Sequence, residues 1–160
     1  MIEIRPCTSD DAVAVSTLLG ELGYTVSIEQ ATEQIAELSR TGSDPIFLAV
    51  GNGQVLGFLA SHLCRMLQYP SPIMRVTALV VDRRARRRGV GKLLMEHAEK
   101  VGSAAGSEFV ELTSAMNRAE AHAFYRSIGY EPNSLRFRKP LVGQYPALNI
   151  CGSASWGGGA

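Results

Sequence analysis

The sequence predicts an α/β (α+β) fold with a mixed, mostly antiparallel sheet, one parallel strand pair and flanking helices. Three observations predict it. Ile46–Val50 and Gln54–Leu67 are apolar strand-like runs joined by Asn52-Gly53, a dipeptide suited to positive φ, so they form an antiparallel hairpin. Ile73–Val81, a helical stretch from Val90 to Val101, and Phe109–Thr113 read as strand, helix, strand, which makes the two strands parallel. The helical segments carry apolar residues at i, i+3, i+4 and i+7 spacing, the mark of helices packed on a sheet.

Taken in order, Ile2–Arg5 is a short strand closed by Pro6. Ser9 reads as an N-cap, followed by Asp10 and Asp11 in the first turn, and Val15, Leu18, Leu19 and Leu22 give the helix its stripe. Ser27-Ile28-Glu29-Gln30 has the form of a capping box for a second helix, with Ala31, Ile35 and Leu38 on its apolar face. The hairpin and the Ile73–Val81 strand come next. The third helix carries Val90, Leu93, Leu94, His97, Ala98 and Val101 on one face. After Phe109–Thr113, a helix opens at Asn117 and places Ala121, Phe124, Tyr125 and Ile128 together, with Gly129 as its C-terminal cap. Arg136–Leu141 is expected as a last strand. Residues 1–141 are expected to form one domain, and the Gly- and Ser-rich 142–160 a loose tail.

At 160 residues, 46% hydrophobic and 19% charged, the chain suits an ordinary globular domain. The net charge is only +1, yet five of the sixteen basic residues fall within Arg83–Arg88. A field so local fits a small anion better than a long duplex. Cys7, Cys64 and Cys151 are odd in number and far apart, which argues against a disulfide framework. The histidines show no metal spacing, so no metal site is expected. No signal peptide or membrane-length apolar run is visible, and the expectation is a cytoplasmic protein.

The chemistry concentrates in Asp82-Arg83-Arg84-Ala85-Arg86-Arg87-Arg88-Gly89-Val90-Gly91-Lys92, a basic glycine loop between a strand and a helix. The first turn of a helix has N–H groups without intrahelical partners and lies at the positive end of the helix dipole. Glycines allow an anion near the backbone, and arginines add charge, so the stretch suits a phosphate or pyrophosphate. A solvated arginine loop and a nucleic-acid patch are the competing readings. A Walker loop fails because Leu93 follows Gly91-Lys92, and a dinucleotide fingerprint fails because position 94 is Leu.

What stands is Arg86-x-x-Gly89-x-Gly91 behind Leu79-Val80-Val81. This resembles the acetyl-CoA pyrophosphate motif of the GCN5-related N-acetyltransferases (GNAT). Asn117-x-x-x-Ala121-x-x-Phe124-Tyr125-x-x-x-Gly129-Tyr130 is similar to that family's C-terminal signature, with Asn117 one residue further from the alanine than in the commonest spacing. The order of elements matches too, over about residues 1–141. Within the family, Glu111–Ser114, Glu120–Tyr125 and Arg136–Leu141 are similar to aminoalkylphosphonate N-acetyltransferases.

The resemblance implies a GNAT fold whose central parallel strands splay apart, and acetyl transfer from acetyl-CoA to a primary amine of a small molecule. It implies that backbone N–H groups of Arg86, Arg87, Arg88, Gly89, Val90, Gly91 and Lys92 hold the pyrophosphate. Leu79, Val80 and Val81 would hold the pantetheine and supply an oxyanion-hole N–H. Asn117, Ala121 and Phe124 would line the same cofactor, and Tyr125 would protonate the departing thiolate. Many members carry a glutamate two residues ahead of the Leu-x-Val; here it is Thr77, which is no base at neutral pH. Glu111 and Glu21 are the carboxylate candidates, beside a water relay. Glu21, Tyr24 and Tyr69 are candidates for the acceptor pocket. A protein lysine or N-terminal acetyltransferase and a non-catalytic CoA-binding module are the alternative functions. A homodimer is compatible with the family, while nucleic acid and membrane are not expected partners.

Overall fold

A computed structural model describes residues 1–139. The expected tail, 142–160, and Cys151 lie outside the described residues. Five strands form one sheet in the order β1 (Ile2–Pro6), β2 (Ile46–Gly51), β3 (Gln54–Cys64), β4 (Ile73–Val81) and β5 (Val110–Leu112). All neighbours are antiparallel except β4 and β5, which are parallel as the βαβ reading requires. The helices are α1 (Ala12–Leu22), α2 (Ile28–Thr41), α3 (Val90–Ala104) and α4 (Ala119–Ser127).

The local signals act as their chemistry dictates. Asn52 (φ 51°) and Gly53 (φ 74°) both take positive φ in the β2–β3 turn. Ser27 accepts from the Gln30 N–H while Gln30 returns a bond to the Ser27 N–H, a complete capping box for α2. At the end of α4, Gly129 is left-handed (φ 93°) and the Tyr130 N–H reaches back to the Tyr125 carbonyl at 3.0 Å.

Several boundaries differ from expectation. Thr8, not Ser9, caps the first helical segment, because Asp11 closes a capping box with it; a short 3₁₀ turn, Ser9–Asp11, then leads into α1. Strand β3 stops at Cys64 rather than Leu67, since β4 begins pairing there with Ile73, and Leu67 is fully exposed. On α3 it is Met95 that is buried and Leu93 that is exposed, so the stripe runs Val90, Leu94, Met95, Ala98. A turn in which the Arg118 N–H bonds to the Ala115 carbonyl holds Asn117 outside α4. Residues 136–139 form no strand. That segment reaches the residue after β5 through a side chain, Arg136 Nη1 to Thr113 Oγ1 at 3.0 Å, and among the described residues not through a backbone ladder, which leaves Phe137 exposed.

The core lies on both faces of the sheet. Val15 and Leu18 of α1 and Ala31 and Ile35 of α2 cover Leu48, Phe58 and Val80 on one face. On the other, Val90, Leu94, Met95 and Ala98 of α3 cover Ala49, Leu59 and Val76, and Phe124 and Tyr125 of α4, with Ile128 just after it, join them. His97 packs edge-on to Phe47 at 4.4 Å, a core aromatic as its position among apolar residues implied. Cys7 and Cys64 are free thiols, and burial pushes Cys7 up to about 11.

Candidate active site

The site starts from an interruption in the sheet. Ala60 pairs with Ala78 but Ser61 with Val76, so Thr77 is an extra residue, a β-bulge in β4. The parallel ladder with β5 ends at the same level, with Val76 opposite Leu112, while β4 runs on to Val81. About 16 Å of the β4 edge, at roughly 3.3 Å per residue, therefore lacks a partner on the β5 side among the described residues. The Asp82 N–H bonds to the Leu56 carbonyl at 2.9 Å. Antiparallel alternation then points the backbone groups of Val80 at β3 and those of Leu79 and Val81 into the gap.

The gap leads into the arginine loop. Asp82 Oδ1 accepts from the Arg84 N–H at 2.7 Å and fixes a 3₁₀ turn at Arg83–Ala85. Arg87 (φ 60°) and Gly89 (φ 80°) are left-handed and Arg88 between them is not. Such alternation curls successive N–H groups toward one concave side, an anion-binding shape. Helix α3 begins there on Gly89, with no side-chain cap and no acidic residue in its first turn. A Cβ on Gly89 would meet no atom within 4 Å. A backbone cradle with uncapped donors and open space above it fits a pyrophosphate.

The two glycines do different work. Gly89 supplies the positive φ. Gly91 supplies space for a side chain: a Cβ there would lie 3.2 Å from Phe124 Cζ and 3.6 Å from Val81 Cγ2. The missing side chain lets α3 and α4 meet at the end of β4, beside Tyr125. The Tyr125 ring packs against Phe124 (5.2 Å) and Tyr130 (6.2 Å). Burial pushes its phenol above the ordinary 10.0, with the Arg118 charge pulling the other way. Tyr130 donates to Glu99 Oε1 at 2.9 Å and holds that wall.

Arg86 bonds back into the protein. Its Nε donates to the Val81 carbonyl at 3.1 Å and its Nη2 to Glu21 Oε2 at 3.2 Å. Glu21 also accepts from the Arg83 N–H at 3.2 Å. Glu21 thus ties the end of α1 to the loop. Lys92 lies 3.8 Å from Glu96 on α3. Ala121 is half-buried on α4, and Asn117 is exposed before it. Tyr24 is exposed just after α1. Tyr69 stacks edge-on to Phe109 at 5.2 Å, before the start of β4 and so at the opposite end of that strand from the loop.

Glu111 faces away from Tyr125. Its neighbours Val110 and Leu112 pack in the α3 cluster, so its side chain emerges on the α1–α2 face of the sheet. There it accepts from Arg75, with Nε at 2.6 Å and Nη2 on the same oxygen. Three residues that the sequence reading passed over stand in line with it. His62 is the register partner of Arg75, and Arg75 that of Glu111. Asp44 accepts from or donates to nothing on β4 but meets His62 Nδ1 at 2.6 Å from the other side, and is itself held by Thr41 Oγ1 (2.5 Å) and Ser43 Oγ (3.0 Å). Strand register brings His62, Arg75 and Glu111 together, and the turn before β2 adds Asp44.

Comparison with known proteins agrees with this fold. The family model described as the acetyltransferase (GNAT) family matches residues 14–130. The chain belongs to the GNAT family. It is 31% identical over 140 residues to an aminoalkylphosphonate N-acetyltransferase of Salmonella typhimurium, covering 87% of this chain and 91% of that one. Among solved structures, it superposes on a transcriptional regulator from Bacillus halodurans C-125 with a TM-score of 0.78 and 18% identity, over 88% of this chain and 100% of that chain. It superposes on glucosamine-6-phosphate N-acetyltransferase from Arabidopsis thaliana with a TM-score of 0.76 and 21% identity, over 89% and 99%. These structures share the GNAT fold. As a GNAT protein the chain is an acyltransferase of the N-acetyltransferase kind, and the family's members use acetyl-CoA. No helix among the described residues is long and apolar enough to cross a membrane.

Proposed function

We propose that this GNAT protein moves an acetyl group from acetyl-CoA to the primary amine of a small molecule by direct attack. The observation that carries the reading is the unpartnered edge of β4 running into the uncapped start of α3, with Tyr125 at the junction. Acetyl-CoA supplies the acetyl group as an activated thioester. The backbone N–H groups of Arg86–Lys92 would hold its pyrophosphate. The Leu79 and Val81 N–H groups would face the pantetheine and the thioester carbonyl, while the Val81 carbonyl is already taken by Arg86. Phe124 would form the wall of that slot. Tyr125 holds the proton that the leaving sulfur needs, and its raised phenol keeps that proton through the neutral range.

A lysine-like amine has a pKa of about 10.4 and arrives protonated. Glu21 is bound by Arg83 and Arg86, and Glu111 by Arg75. We therefore assign removal of the amine proton to water on the open α1–α2 face, beside exposed Thr77. The name of the Salmonella relative supports a small amine as acceptor. The arginines would serve this bound anion and the loop's own bracing rather than a nucleic acid. The test is CoA-thiol release from acetyl-CoA across a panel of small amines and lysine peptides. Turnover confined to small amines is expected; turnover confined to peptides would overturn the reading.

A further inference from the structure

The curl of the arginine loop begins on a strained residue. Arg87 takes φ 60° without being glycine. A side chain in the left-handed region costs backbone energy, and such a residue persists only where its surroundings over-determine it. Packing does not hold it, because residues 86–89 are all exposed. Buried Ala85 and Val90 fix the two ends of the stretch. Between them, among the described residues, only Arg86 bonds across to other elements. It does so through two guanidinium nitrogens, Nε on the Val81 carbonyl at 3.1 Å and Nη2 on Glu21 Oε2 at 3.2 Å. The same Glu21 oxygen accepts from the Arg83 N–H at 3.2 Å. One carboxylate thus holds the first residue of the 3₁₀ turn and the residue that follows it.

Helix α1 gives no reason for a glutamate at position 21. A carboxylate in the last turn of a helix sits at the negative end of the dipole, and α1 has no basic residue there to offset it. The loop supplies the missing positive charge. The Glu21 side chain is only 21% exposed, so salt screens it less than an open surface pair. Among the described residues no ion pair engages Arg84, Arg87 or Arg88, so the brace acts before the curl and leaves the curl itself unencumbered. We propose that Glu21 is a positioning residue for the cofactor. It locks Arg86, which holds Arg87 left-handed and keeps the N–H groups after it curled before a pyrophosphate arrives. This rests on the reading that acetyl-CoA binds at this loop. Without the lock, part of the binding energy goes into imposing the Arg87 backbone.

The test is calorimetric titration of acetyl-CoA into wild type, Glu21→Ala, Glu21→Gln, Arg87→Gly and the Glu21→Ala/Arg87→Gly double variant, beside urea unfolding of each. Glu21→Ala should weaken acetyl-CoA about tenfold. Glu21→Gln, which keeps an acceptor oxygen and loses the charge, should lose less. Glycine adopts positive φ without strain, so in the Arg87→Gly background the Glu21→Ala loss should shrink to about threefold or less. S-acetylpantetheine lacks the pyrophosphate, and its kcat/KM should stay within about twofold of wild type in Glu21→Ala. Tighter acetyl-CoA binding in Glu21→Ala would make the carboxylate a competing anion and overturn the proposal. A lower urea midpoint at unchanged affinity would overturn it too, leaving Glu21 a stabiliser of the fold. Additive losses in the double variant, or equal loss on S-acetylpantetheine, would remove the link to Arg87 and the pyrophosphate. A wild type that binds no acetyl-CoA would sink the acetyl-CoA reading itself and the proposal with it; in every other failure the wild type binds and only the role of Glu21 falls.

Discussion

Tyr125→Phe removes one oxygen and leaves a ring in place between Phe124 and Tyr130, at 5.2 and 6.2 Å. Among the described residues no hydrogen bond from the Tyr125 hydroxyl is found, so folding should change by no more than about 1 kcal/mol. Catalysis should change far more. A positioned general acid contributes on the order of 10²–10⁴ in rate. That is about 3–5 kcal/mol of barrier, since each factor of ten is about 1.4 kcal/mol. The assay is CoA-thiol release at saturating acetyl-CoA and amine, beside a direct titration of acetyl-CoA. Loss should fall on kcat, with acetyl-CoA affinity within about threefold of wild type, because the proposed cofactor contacts are backbone groups. Burial raises this phenol, so the wild-type kcat should show no alkaline fall from Tyr125 below about pH 10. A variant with kcat within threefold of wild type, or one that loses only cofactor affinity, would refute the assignment of Tyr125 as the acid.

Two further outcomes test the frame around the site. Asp11 is held by a two-pronged bond from Arg5 (2.7 and 2.8 Å), and that bond with the Thr8 N–H brings its carboxyl from 3.8 down to about 2. A depressed carboxyl stabilises the fold above its unfolded pKa and loses that contribution as pH falls through about 2. With Arg5 36% exposed, the linkage is discounted for screening to about 1–2 kcal/mol. Urea unfolding should show Asp11→Asn less stable by that amount at pH 7, and the gap closing in strong acid; a gap independent of pH would contradict the linkage. Gly57→Ala would place a Cβ 2.6 Å from the Val80 carbonyl oxygen and 3.2 Å from Val81 Cα. Backbone must shift, so a loss of about 1–3 kcal/mol is expected, together with weaker acetyl-CoA binding as the end of β4 moves. An unchanged urea midpoint would count against the clash.

The sequence by itself determined the order of elements through α4 and the place of the basic glycine loop between strand and helix, because each rests on local chemistry. Asn52-Gly53 turns wherever it stands, Ser27 and Gln30 cap a helix from three residues apart, and a glycine loop between strand and helix exposes N–H groups in any fold that contains it. Tyr125 drew attention only through the resemblance of the Asn117–Tyr130 stretch to the family's signature. Local patterns failed where long-range pairing decides. The 136–139 segment has strand-like text but no backbone partner among the described residues, and Leu93 fits the helical stripe while Met95 takes the buried place. The Thr77 bulge exists only in the pairing of β4 with β3. Nothing near Gly91 announces that its empty Cβ position is filled by Phe124, thirty-three residues on. Glu21, a candidate for the acceptor pocket, meets Arg86 across a separation of 65 residues, a contact no local pattern announces. The row from Asp44 to Glu111 is the extreme case. Its members are spaced 18, 13 and 36 residues apart in the chain and share no motif. Strand register sets His62, Arg75 and Glu111 side by side, with Asp44 reaching them from the turn before β2, and a register is a property of the folded sheet, fixed by which apolar faces are buried together.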